Sequence, residues 1–153
     1  MTDQARSATR GSRPGAAQGR SWSLALPHEA DSVPLARAVV LQVLHSLGDP
    51  VDSFAASLAT TELVANALEH TRGDLGVELV LDWEDQGFRI EVCDGEPLEL
   101  DLEDLLRAAA MAVSTGEPAE DGRGLLIIRS VADRAGIRTT SHGKAVWCLL
   151  EPA

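Results

Sequence analysis

Three short stretches of the 153-residue sequence combine residue types and spacings that suit a phosphorylated ligand. Glu62 and Asn66 are four apart in a run of helical spacing, so a carboxylate and an amide project from one side of a helix. An amide oxygen is a hard ligand suited to Mg²⁺, and a carboxylate beside it can orient or deprotonate an attacking hydroxyl. The same pair also suits an ordinary solvated helix face. Asp94-Gly95 follows the apolar run Ile90-Glu91-Val92-Cys93. This puts a carboxylate at a strand end, where it either accepts a hydrogen bond from an adenine amino group or merely shapes an Asp-Gly turn. Gly122-Arg123-Gly124 stands before an apolar helical run that begins at Leu125. Backbone N–H groups at such a helix start, helped by the Arg123 guanidinium, suit phosphate oxygens, although two glycines before a helix also occur for geometry alone.

The elements that must position these residues follow from periodicity. Residues 21–26 alternate as a first strand, and 34–47 have helical spacing with Gly48 behind them. Asp49-Pro50 offers an N-cap and first helical position for a second helix, whose apolar stripe through Phe54, Leu58, Ala65 and Leu68 runs to about Thr71. Residues 77–83 and 88–93 alternate around a turn and predict an antiparallel hairpin. Residues 95–121 are acidic and long for a connection, with a short helix expected over 101–113, and read as a lid. Helical spacing resumes over 122–135, Gly136 closes it, and 137–140 and 145–150 supply two last strands. The sum is an α+β two-layer sandwich, a mostly antiparallel sheet covered by helices.

Size and composition bound the reading. The length supports one domain, expected over 21–153. Residues 1–20 carry Arg6, Arg10, Arg13 and Arg20 among small polar residues and read as a disordered arm. Thirteen basic against 24 acidic side chains give a net charge of −11, which argues against direct contact with nucleic acid or an anionic membrane. Neither a signal-peptide core nor a membrane span is visible, so a cytoplasmic location is expected. Cys93 and Cys148 lie in apolar strand-like runs and read as reduced, buried thiols. His28, His45, His70 and His142 are scattered without metal-ligand spacing.

Glu-x-x-x-Asn on a helix, Asp-Gly after a strand, and Gly-x-Gly opening a helix resemble, in that order, the nucleotide-binding boxes of the Bergerat (GHKL) ATP-binding fold. Within that superfamily the segments TELVANALEHT, GRGLLIIRSVADRAG and GKAVWCLLE are similar to the stand-alone anti-sigma factor serine/threonine kinases of actinobacterial type. The resemblance spans about residues 21–151. It implies Glu62 as general base, Asn66 as the Mg²⁺ ligand, and Asp94 with Gly95 at the adenine. It further implies Gly122, Arg123, Gly124 and Leu125 at the nucleotide phosphates. The implied substrate is a serine or threonine of an anti-sigma-antagonist (STAS-type) protein, and the implied regulated partner is a sigma factor; relatives of this type are often homodimers. Here Asp94-Gly95-Glu96-Pro97 lacks the second glycine of the fuller motif, and the presumed lid is acidic. A non-catalytic partner-binding module on the same fold is therefore the alternative, and a stand-alone ATPase a third reading.

Overall fold

The computed structural model describes residues 6–7, 19–71, 76–95 and 120–153. In chain order its elements are β1 (Arg6–Ser7), β2 (Arg20–Leu26), α1 (Ser32–Ser46), α2 (Ser53–His70), β3 (Val77–Glu84), β4 (Gly87–Asp94), α3 (Glu120–Val131), β5 (Arg134–Thr139) and β6 (Lys144–Leu150). The strands form one sheet in the order β1-β2-β3-β4-β6-β5, antiparallel throughout. Helix α2 packs on α1, on α3 and on β3, β4 and β6, which gives the two-layer α+β sandwich. The lid and short helix expected between 96 and 119 lie outside the described residues.

Alternation along the strands separates two faces. Leu79 and Leu81 of β3, Ile90 and Val92 of β4, and Val146 and Cys148 of β6 turn into the core shared with the helices. From the helical layer Val40, Leu44, Ala56, Ala59, Leu63 and Val64 meet them. Ala55, Ala56, Ala59 and Ala67 of α2 are buried in this core, where α2 packs on β4.

Three local expectations are corrected, and one pairing is added to the expected sheet. The cap of α2 is Asp52, not Asp49: its extended backbone lets the carboxylate accept from Phe54 N at 2.9 Å and Ala55 N at 3.3 Å. Asp49 instead lies in the left-handed region at φ 53°, directly after Gly48 at φ 84°. The buried stripe of α2 runs through Ala55, Ala59, Leu63 and Ala67, and Phe54 is 73% exposed. Large side chains suggested a different phase, but alanines fill the contact. Helix α3 ends at Val131, and Gly136 belongs to β5 opposite Trp147, where a Cβ would stand 2.7 Å from the indole ring. Finally, Arg6–Ser7, placed by the sequence in a disordered arm, pair with Ser23 and Trp22 at the sheet edge.

Candidate functional site

Helix α2 carries Glu62 and Asn66 one turn apart, both half-buried, on the flank of its buried stripe. Two contacts hold this helix at different points. Arg37 of α1 donates to Thr61 Oγ1 at 3.2 Å. Near the C-terminal end, His28 Nε2 lies 2.7 Å from Leu68 O and 2.8 Å from Thr71 O. Both partners are carbonyl acceptors, so Nε2 carries the proton and caps carbonyls that the helix itself leaves unpaired.

Beneath α2, strand β4 ends in Asp94, on the same face as Ile90 and Val92 and therefore toward the helices. Its side chain is only 1% exposed and accepts from Lys144 Nζ at 3.1 Å through Oδ1. Lys144 is the register partner of Asp94 across β4 and β6, and its side chain is 12% exposed. The preceding turn is pressed against the same spot, because a Cβ on Gly143 would overlap Asp94 O and stand 2.8 Å from Gly95 C. Gly95 itself follows the strand and is half-buried.

Gly122, Arg123, Gly124 and Leu125 lie inside α3, which starts at Glu120, rather than in a turn before it. The first four N–H groups of an α-helix have no intrahelical acceptor. Gly122, the third helical residue, falls within that group, whereas Gly124 enters the hydrogen-bonded ladder. The packing of α3 on α2 puts this helix start in the same layer as Glu62 and Asn66. The three motifs thus lie on α2 and on two elements that pack on it, β4 and α3.

Sequence reasoning passed over Lys144, Gly143 and His28. Lys144 reads as part of the turn before the last strand, and only the pairing of β4 with β6, which joins residues 50 positions apart, sets it beside Asp94. His28 lies in a loop, and its partners are 40 and 43 residues away.

The donor set fits a magnesium nucleotide. A buried carboxylate faces the helix layer, α2 carries an amide oxygen and a carboxylate one turn apart, and α3 packs on α2. Among the described residues no group of three or more His, Cys, Asp or Glu stands ready to hold a metal ion. A site with one protein ligand for Mg²⁺, completed by phosphate oxygens and water, needs no such group. No described helix is long and apolar enough to cross a membrane.

Curated proteins provide no match to the sequence. A family model, described as histidine kinase-like ATPase domain, matches residues 26–149 and so takes in all three described helices, β3, β4, β5 and nearly all of β6. The chain belongs to this histidine kinase-like ATPase family, whose GHKL-type domains are ATP-binding modules, and its α+β antiparallel architecture is that of the family.

Proposed function

We propose that this protein is an ATP-binding anti-sigma regulatory factor that phosphorylates a serine or threonine of a small antagonist protein and thereby controls the availability of a sigma factor. The observation that carries the proposal is the placement of Glu62 and Asn66, half-buried on one side of α2, over the strand that ends in buried Asp94. The kinase and anti-sigma parts rest on the likeness of TELVANALEHT and GRGLLIIRSVADRAG to that group, and the net charge of −11 suits protein partners better than DNA.

The roles follow from the chemistry of the side chains. Asp94 accepts from the amino group of the base, and the Asn66 amide oxygen orients Mg²⁺. N–H groups in the first turn of α3 face phosphate oxygens. When bound, the nucleotide supplies the phosphoryl group to be transferred. Glu62 would take the proton of the incoming serine or threonine hydroxyl as its oxygen bonds to the γ-phosphorus and the bond from that phosphorus to the bridging oxygen breaks, releasing ADP.

Glu62→Gln keeps the shape and removes the base. It is expected to slow phosphate transfer to a cognate antagonist by about 100-fold or more, the usual range for a general base, while Mg·ATP affinity stays near native. Transfer by this variant at the native rate would remove Glu62 from the mechanism. Absence of transfer by the native chain, with Mg·ATP still bound, would leave a module that acts by holding its partner.

A further inference from the structure

Lys144 stands at the one point of the helix-facing sheet surface where an ammonium group meets a buried carboxylate among the described residues. Its Nζ lies 3.1 Å from Asp94 Oδ1, both side chains are at least 88% buried by their exposures of 12% and 1%, and the register pairs the two residues directly. The turn carrying Gly143 is pressed onto the Asp94–Gly95 backbone, which fixes the Lys144 backbone beside Asp94. A buried ion pair adds little to stability on average, since desolvation offsets the attraction. Its position at the base-reading carboxylate is the informative feature.

Together the pair presents one acceptor and one donor side by side. A carboxylate has about four lone-pair sites and an ammonium three N–H donors, so their mutual contact does not exhaust either group. The Watson–Crick edge of adenine offers the complementary arrangement, the N6 amino donor next to the N1 acceptor. We propose that Lys144 is a second base-reading residue, donating from Nζ to adenine N1 while Asp94 accepts from N6. This deepens the nucleotide-binding reading and rests on it. Because Lys144 reaches the base directly, N1 contributes a charge-assisted hydrogen bond, roughly twice as strong as a neutral one.

The test uses calorimetric binding of ADP and 1-deaza-ADP, in which a C–H replaces N1, to the full native chain and to Lys144→Met. Native protein is expected to bind 1-deaza-ADP about tenfold or more weakly than ADP, each factor of ten being about 1.4 kcal/mol. In Lys144→Met the two ligands should bind within about twofold of each other. The native comparison stands even if the variant folds poorly. Equal binding of the two ligands by native protein, or an undiminished 1-deaza penalty in Lys144→Met, overturns the proposal and leaves Lys144 a structural partner of Asp94, with the nucleotide site intact. No binding of ADP at all by the native chain overturns both the site and the role of Lys144.

Discussion

Strand β4 buries two carboxylates three residues apart, and they lie on opposite faces of the sheet. Glu91, 1% exposed, is gripped from β5 by a two-pronged contact, Arg138 Nε to Oε1 at 2.9 Å and Nη2 to Oε2 at 3.0 Å. Arg89 adds an Nη2 to Oε1 contact of 3.5 Å and stacks 4.2 Å from the Trp147 ring centroid. Asp94, on the helix face, meets the single-point ammonium of Lys144. A guanidinium fork matched to a carboxylate fixes geometry and fills both oxygens. An ammonium on a flexible stem meets one oxygen and can share its donors with a third group. Under the proposed reading of the base, the contrast separates a structural clamp from a binding pair, although both carboxylates are buried on β4.

The comparison is broken most forcefully at the clamp. Arg138→Met would remove the two-pronged contact from buried Glu91, and should cost about 2 kcal/mol of stability. That is below the usual cost of unpairing a buried charge, because Arg138 is itself 44% exposed. Urea unfolding measures it, and nucleotide affinity should stay within about twofold, since the lesion is on the far face. A loss of nucleotide affinity matching the loss of stability would mean that the two faces are coupled and the distinction fails. The hydrogen bond to Glu91 also holds the Arg138 guanidinium above its ordinary pKa, so its charge is constant over the working pH range.

A smaller effect is expected at His28. Removing the donor in His28→Ala frees carbonyls at the end of α2 and should cost about 1 kcal/mol. Hydrogen exchange should show faster opening of α2 near Leu68 and no change in β5 and β6. Uniform acceleration across the sheet would show that His28 supports the whole fold rather than the helix carrying Asn66.

The two thiols give the most delicate comparison. Cys148 faces the core, where burial pushes its thiol up to about 12 from an ordinary 9.0, while Cys93 is half-buried on the opposite face. Folded protein therefore keeps a proton that the unfolded chain releases above pH 9. The contribution of this group is fully present below that pH and is lost as pH rises toward 12, with a slope of at most about 1.4 kcal/mol per pH unit. Cys148→Ala should flatten this alkaline decline, and in native protein an alkylating reagent should reach Cys93 first. Alkylation of Cys148 at the same rate would contradict the burial that defines the core face.

Much of this arrangement is legible in the sequence, and the limits have physical causes. Strict alternation fixes β3 and β4, since both are half-core strands joined by a short turn, and Asp94 is correctly set at the end of β4. Helix spacing places Glu62 and Asn66 on one side of α2. The boundaries of α2 and its buried face are less legible, because alanines rather than Phe54 make the contact with the sheet. The start of α3 is missed for a related reason: glycines suggest a turn, yet Gly122 and Gly124 are taken into the helix. Lys144 escapes notice because its meaning comes from a strand pairing that links residues 50 apart.

The central claim is that α2, the end of β4 and α3 form a magnesium nucleotide site. Calorimetric titration of Mg·ATP into the native chain, Asp94→Ala and Asn66→Ala tests it most directly. The account predicts binding by the native chain, a loss of about 10- to 100-fold in Asp94→Ala for the missing charged acceptor, and weakened binding that no longer responds to Mg²⁺ in Asn66→Ala. No binding by the native chain, or native affinity in Asp94→Ala, would contradict it.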